Sequence, residues 1–170
     1  MLLLPPEGPD SGQGTILVID DDQTVRDLFH SYLTKLGYKV AVSSGGDEGL
    51  RLARKLKPDA ITLDVMMPGM SGYEVCASMR DDHELKDLPV IFVTAKTEVE
   101  DETLGFELGA VDYLAKPISP AVVLARIRTH LALKQSHTRM EELSRKLARY
   151  LAPQVYESIF AGRQDARIGG

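Results

Sequence analysis

The 170-residue sequence predicts an α/β fold: a doubly wound sheet of five parallel strands with an extended C-terminal helix. Two observations predict it. Short apolar runs, each the length of a buried parallel strand, recur along the chain and end in polar residues. Between them lie segments with helical periodicity and readable caps. Regular alternation of the two means a parallel sheet covered by helices on both faces.

The first strand is Ile16-Leu17-Val18-Ile19, closed by the acidic run Asp20-Asp21-Asp22. Asp22 can cap a helix carrying Val25, Leu28, Phe29, Tyr32, Leu33 and Leu36, stopped by Gly37. Residues 38–42 read as the second strand, and Leu50, Leu52, Ala53 and Leu56 mark a helix ending before Pro58. The third strand, Ala60-Ile61-Thr62-Leu63, is closed by Asp64, which opens the loop Val65-Met66-Met67-Pro68-Gly69. Ser71 with Glu74 forms a capping box for the third helix, and Thr97 with Glu100 another for the fourth. Between those two helices, Val90-Ile91-Phe92-Val93 ends in Thr94, and a last apolar run ends at Lys116-Pro117. Ser119 followed by Pro120 is a strong start for the fifth helix.

In an open α/β sheet the carboxyl ends of the strands form one edge, and ligands bind there. That edge gathers three carboxylates (Asp20, Asp21, Asp64), the Thr94 hydroxyl and the Lys116 ammonium. Like charges ~4 Å apart cost about 4 kcal/mol at an effective dielectric of 20, so such a cluster calls for a cation. Mg2+ suits it, because it binds hard oxygens through one or two carboxylates and keeps several waters. A solvated acidic turn is the ordinary reading of Asp20-Asp21-Asp22. It loses here because the triplet directly follows one strand while Asp64 independently follows another.

With Tyr113 added, the order and intervals of Asp20/Asp21, Asp64, Thr94 and Lys116 resemble the response-regulator receiver domain of two-component signalling, from about residue 15 to 130. The resemblance implies a flavodoxin-like strand order and a phosphoryl group accepted on Asp64 from a sensor histidine kinase. It implies Mg2+ bound directly by Asp21 and Asp64, by Asp20 through water, and by the Met66 backbone carbonyl. Lys116 and Thr94 would contact the phosphoryl oxygens, with a cis peptide at Lys116-Pro117. Thr94 and Tyr113 would form the switch, the tyrosine turning inward as the threonine moves. Asp22 lies outside the matched pair and is left to helix capping. The four histidines have no partner at metal-ligand spacing and are assigned surface or capping roles.

Bulk properties narrow the class. A formal charge of −5 argues against a general nucleic-acid binder. Residues 134–170 carry a net +3 against −8 for residues 1–133, and the basic tail is interleaved with acids as on a solvated helix. The single cysteine, Cys76, excludes an internal disulfide and suggests a reducing, cytoplasmic setting. No run reaches membrane-spanning length. Residues 1–14, rich in proline and glycine, read as a flexible lead-in rather than a signal peptide.

Residues 15–132 are therefore expected to form the receiver, 133–152 a helical dimerisation linker, and 153–170 the start of a linker to an output domain. No proline or glycine interrupts the chain between Pro120 and Pro153, which allows about 45 Å of helix at ~1.5 Å per residue. Leu133, Met140 and Leu147 recur every seven residues, with Leu143 and Tyr150 on the alternate seam and Ser136 a polar exception. This stripe favours a short parallel coiled coil, hence a homodimer through 120–151, over a helix folded back on the receiver. The segment Arg149-Tyr150-Leu151-Ala152-Pro153-Gln154-Val155, with Ile159-Phe160-Ala161-Gly162, resembles the one preceding the catalytic domain of class III adenylate and guanylate cyclases. The chain stops at Gly169-Gly170, before any cyclase motif, so this polypeptide is expected to catalyse only its own phosphorylation from a donor. A diguanylate cyclase output, or a stand-alone receiver acting as a phosphorylation-dependent binding module, are the alternatives.

Overall fold

The structure, a computed structural model, describes residues 14–151 apart from Thr97 and Ile118. The strands are β1 (Thr15–Ile19), β2 (Lys39–Ser43), β3 (Ala60–Leu63), β4 (Val90–Thr94) and β5 (Asp112–Ala115). The helices are α1 (Gln23–Lys35), α2 (Gly46–Leu56), α3 (Gly72–Asp81), α4 (Val99–Glu107) and α5 (Pro120–Tyr150). All strand pairs are parallel, in the order β2-β1-β3-β4-β5. The predicted fold class is the observed one.

Alternation within the strands builds two cores. Ile16 and Val18 face one side, with Phe29 and Leu33 of α1 and Val123, Leu124 and Ile127 of α5. Leu17 and Ile19 face the other, with Leu50 and Ala53 of α2 and Val75, Cys76 and Met79 of α3. Residues of β3 and β4 are buried throughout, as expected for central parallel strands covered on both faces.

Local chemistry sets most element ends. The Asp22 side chain accepts from the Thr24 amide (2.9 Å), Ser71 Oγ from Glu74 (3.3 Å) and Ser119 Oγ from Ala121 (3.2 Å). The fourth helix departs from expectation. It begins at Val99 behind Glu98, which makes no side-chain cap bond, and Thr97 lies outside the described residues. Three acids in its first turn, Glu100, Asp101 and Glu102, favour the positive end of the helix dipole. The second strand is one residue later than predicted. Tyr38 instead packs into the α1/α5 core, its hydroxyl 3.4 Å from Arg128 Nε.

Two contacts hold the site's surroundings. Gly72 opens α3 so close to the preceding loop that a Cβ there would stand 2.1 Å from the Asp64 carbonyl oxygen, and its amide donates to Val65 O (2.8 Å). Arg80, near the end of α3, donates to the carbonyls of Lys86, Leu88, Leu108 and Gly109, tying the α3–β4 and α4–β5 turns to one guanidinium.

Residues up to Leu131 form one compact unit, and a second begins at Ala132 within α5. In the second unit Leu133, Met140, Leu143, Leu147 and Tyr150 are all exposed. Among the described residues no helix is long and apolar enough to cross a membrane.

Thr62, at the centre of β3, is buried, and its Oγ1 has no hydrogen-bond partner among the described residues. A buried hydroxyl without a partner costs about 1–3 kcal/mol. Thr62→Val is therefore expected to raise unfolding stability by about 1 kcal/mol, read as a higher urea midpoint at unchanged slope.

Candidate functional site

The order β2-β1-β3 makes the crevice between β1 and β3 the point where the strand order reverses, which is where open α/β sheets bind ligands. Asp20 and Asp64 follow those two strands, and their amides extend the ladder, donating to Ser43 O (3.0 Å) and Ile19 O (2.9 Å). Both carboxylates are buried, while Asp21 is exposed at the rim. Carboxylate oxygens of Asp20, Asp21 and Asp64 all lie within 4.8 Å of one another.

Lys116, after β5, reaches both buried acids. Its Nζ lies 2.7 Å from Asp20 Oδ2 and 3.1 Å from Asp64 Oδ2. Their other oxygens accept backbone amides, Asp20 Oδ1 from Asp22 (2.9 Å) and Asp64 Oδ1 from Met66 (3.3 Å). Burial pushes the Asp20 carboxyl above the usual carboxylate range, and the bonds from Lys116 and the Asp22 amide offset this only in part. Burial also works against the Lys116 charge, but the bonds to Asp20 and Asp64 outweigh it and hold the ammonium above the ordinary lysine value. The Lys116-Pro117 peptide is cis.

The donor set fits Mg2+. Three carboxyl groups stand against one ammonium, the donors are hard oxygens, and Asp21 at the rim is open to solvent. The Met66 side chain is exposed, and the residue stands two positions beyond Asp64 in the same loop.

Thr94, the last residue of β4, is fully buried, and its Oγ1 accepts the Lys96 amide (3.2 Å). The Tyr113 ring is buried against Phe92 (5.6 Å between centroids) and its hydroxyl donates to Lys96 O (2.6 Å). Beside the acids, a crevice of about 460 Å³ is lined by Asp22, Val25, Leu28, Phe29, Val93, Ala95, Lys116 and Pro117.

The structure thus brings together Asp20, Asp21, Asp64 and Lys116, with Thr94 and Tyr113 joined through Lys96. The sequence reading missed Lys96 and Tyr73. Tyr73 of α3 touches Tyr113 through their hydroxyls (3.1 Å) and donates to Asp101 O (2.9 Å). No local spacing marks Tyr73, because its partner comes from a strand 40 positions away. His130, assigned a surface or capping role, lies 3.2 Å from the buried Asp112 carboxylate, which Arg126 also contacts. His137 pairs with Glu141 one turn on.

Known proteins resemble this chain in sequence and in fold. Residues 16–128 match the response regulator receiver domain. The alkaline phosphatase synthesis transcriptional regulatory protein PhoP of Bacillus subtilis is 38% identical over 157 residues, which is 88% of this chain and 65% of PhoP. The DNA-binding response regulator MtrA of Mycolicibacterium smegmatis is 39% identical over 122 residues, 72% of this chain and 52% of MtrA. The chain thus spans less than two thirds of either relative. The BeF3-activated N-terminal receiver domain of Klebsiella pneumoniae RstA superposes with a TM-score of 0.63 at 35% identity, covering 69% of this chain and 97% of that domain. The chemotaxis protein CheY4 of Vibrio cholerae gives 0.65 at 31% identity, covering 68% and 96%. The family match covers most of the chain and contains every residue of the acidic pocket, so the chain belongs to the response regulator receiver domain family.

Proposed function

We propose that Asp64 is the phosphoacceptor of this receiver, taking a phosphoryl group from the phosphohistidine of a sensor histidine kinase. One observation carries the reading: Lys116 holds two buried carboxylates, Asp20 and Asp64, at the reversal point of a parallel sheet. An Asp64 carboxylate oxygen attacks phosphorus as the P–N bond breaks. The imidazole nitrogen keeps the bonding electrons, and an acyl phosphate forms on Asp64. Lys116 meets one phosphoryl oxygen and the Thr94 hydroxyl another. Asp21, Asp64 and the Met66 carbonyl would hold Mg2+, with Asp20 acting through water, and the ion would neutralise phosphoryl charge. The apolar crevice beside Lys116 gives the donor protein a contact next to the pocket.

For the rest of the chain, residues 15–132 serve as the receiver and 133–152 as a dimerisation linker, with 153–170 leading on toward an output. The exposed stripe of Leu133, Met140, Leu143, Leu147 and Tyr150 supports a parallel homodimer through 120–151. A cytoplasmic setting fits a phosphorelay component.

Two outputs compete. PhoP and MtrA are named as a transcriptional regulator and a DNA-binding response regulator, which favours a nucleic-acid output and weighs against the expectation of no nucleic-acid partner. The cyclase reading rests on the tail segment alone, whose residues from Ala152 lie outside the described residues, and the relatives lend it no support. Assaying the full reading frame for DNA binding and for cyclic nucleotide formation from ATP and GTP separates the two. A protein that does neither, and stays monomeric, would be a stand-alone binding module.

Asp64→Asn is expected to abolish labelling by radioactive acetyl phosphate with Mg2+, and persistent labelling would overturn the assignment. Asp20 supplies a pH-dependent test. Because burial raises its pKa, the fold favours the protonated form. The associated stability is full below the ordinary value of about 3.9 and is lost as pH rises through the raised one. Asp20→Asn is therefore expected to be more stable than the natural protein in EDTA at neutral pH, by about 1 kcal/mol, with the gain shrinking toward pH 4. Added MgCl2 should raise the Tm of the variant less than that of the natural protein. Sedimentation equilibrium should show a dimer that Met140→Lys with Leu147→Lys converts to monomer, with acetyl phosphate labelling unchanged.

A further inference from the structure

Tyr73 and Tyr113 hold two hydroxyl protons but make three hydrogen-bond contacts. Tyr113 spends its proton on Lys96 O (2.6 Å). Its oxygen can then only accept at the 3.1 Å contact with Tyr73, so Tyr73 must donate there. Tyr73 also lies 2.9 Å from Asp101 O, in the first turn of α4, and that contact needs the same proton. A hydroxyl has one proton to give, so the Asp101 carbonyl and the Tyr113 oxygen compete for it.

The surroundings make this competition a coupling. Both rings pack on Phe92, Tyr73 edge-on at 5.4 Å and Tyr113 tilted at 5.6 Å, so neither can shift without disturbing a shared neighbour. Gly105 of α4 lets the helix close on Tyr113, since a Cβ there would stand 2.8 Å from the ring. Lys96, whose carbonyl takes the Tyr113 proton and whose amide bonds Thr94, also pairs with the Asp101 carboxylate (3.3 Å). A closed circuit therefore runs from Thr94 through Lys96, Tyr113 and Tyr73 to Asp101, and back to Lys96.

We propose that Tyr73 is the positioning residue of this switch. Its single proton, shared between Tyr113 and the Asp101 carbonyl, links the position of Tyr113 to the first turn of α4. With Tyr113 inward, the shared proton leaves Asp101 partly served. With Tyr113 turned out, the proton goes wholly to Asp101 and α4 tightens. By linkage, anything that fixes α4 biases Tyr113 in return. The part assigned to phosphorylation rests on Asp64 as phosphoacceptor; the proton competition does not.

The test is amide hydrogen exchange of the full chain by NMR, for the natural protein, Tyr73→Phe, Tyr113→Phe and the double variant, each with and without beryllofluoride and Mg2+. Loss of the bond to Asp101 is expected to speed exchange across α4 by about tenfold in Tyr73→Phe. Tyr113→Phe should slow it, and the double variant should match Tyr73→Phe alone, so that the two effects do not add. Beryllofluoride should alter α4 exchange in the natural protein but not in Tyr73→Phe, while shifting the pocket amides in both. Unchanged exchange in β1 shows that the fold is intact, a result a merely structural role for Tyr73 would not combine with a lost beryllofluoride response. Additive effects, or α4 exchange in Tyr73→Phe within twofold of the natural protein, would overturn the proposal. If beryllofluoride fails to shift pocket amides even in the natural protein, the phosphoacceptor reading fails, and the ligand-free comparison still decides the role of Tyr73.

Discussion

One ammonium holds the site together. Asp20 and Asp64 are buried side by side, and separating either from water without compensation would cost several kcal/mol. Lys116 bonds one oxygen of each, and backbone amides take the others, so each buried carboxylate has two partners in the protein. This arrangement depends on the topology. Only a sheet in which β1 and β3 are neighbours presents two strand-end acids to one cation, and only a parallel sheet puts the end of β5 on the same edge. Burial nonetheless holds the Asp20 carboxyl above the usual carboxylate range, so the bonds from Lys116 and the Asp22 amide compensate it only in part.

Packing behind the acids fixes their aim. Gly72 lets α3 begin against the Asp64 backbone, where any side chain would push the loop outward. The Asp64 carbonyl is thereby clamped from behind while its carboxylate faces the edge. Arg80 does the same for the turns below, satisfying four carbonyls that a short connection would otherwise leave to solvent. Neither residue touches the chemistry, yet both restrict where it can occur.

Much of this was legible in the sequence, for physical reasons that also explain what was not. The strands announced themselves because a parallel strand covered on both faces must be apolar throughout, and residues 60–63 and 90–93 are so but for Thr62. The caps at Asp22, Ser71 and Ser119 were readable because capping is local chemistry between neighbours. The pocket acids were readable because Asp20 and Asp64 each stand directly after a strand and Asp21 is the next residue after Asp20. The start of α4 was not, since it begins behind Glu98 with three acids in its first turn. Tyr73 and Arg80 were invisible for a different reason: their partners arrive through tertiary packing, from positions that no periodicity connects to theirs. The exposed seam of α5 agrees with a heptad pattern, but a pattern on one chain does not by itself supply the second.

The energetics of switching follow from bonds that already exist. Inverting a two-state equilibrium from 1:99 to 99:1 takes about 5.5 kcal/mol. In the proposed site, two charge-assisted bonds to a phosphoryl group, from Lys116 and Thr94, would contribute about 1.5–3 kcal/mol each. Neither donor group is idle beforehand. Thr94 must leave the Lys96 amide, a bond worth about 1 kcal/mol, and Lys116 must share an ammonium already engaged by two carboxylates. The net gain is an exchange of partners and falls short of full inversion. The remainder must come from a binding event that favours one position of α4 or α5, such as pairing of the exposed helical seam. On the proposed reading, phosphorylation of Asp64 would bias an assembly equilibrium, and the assembly would complete the switch.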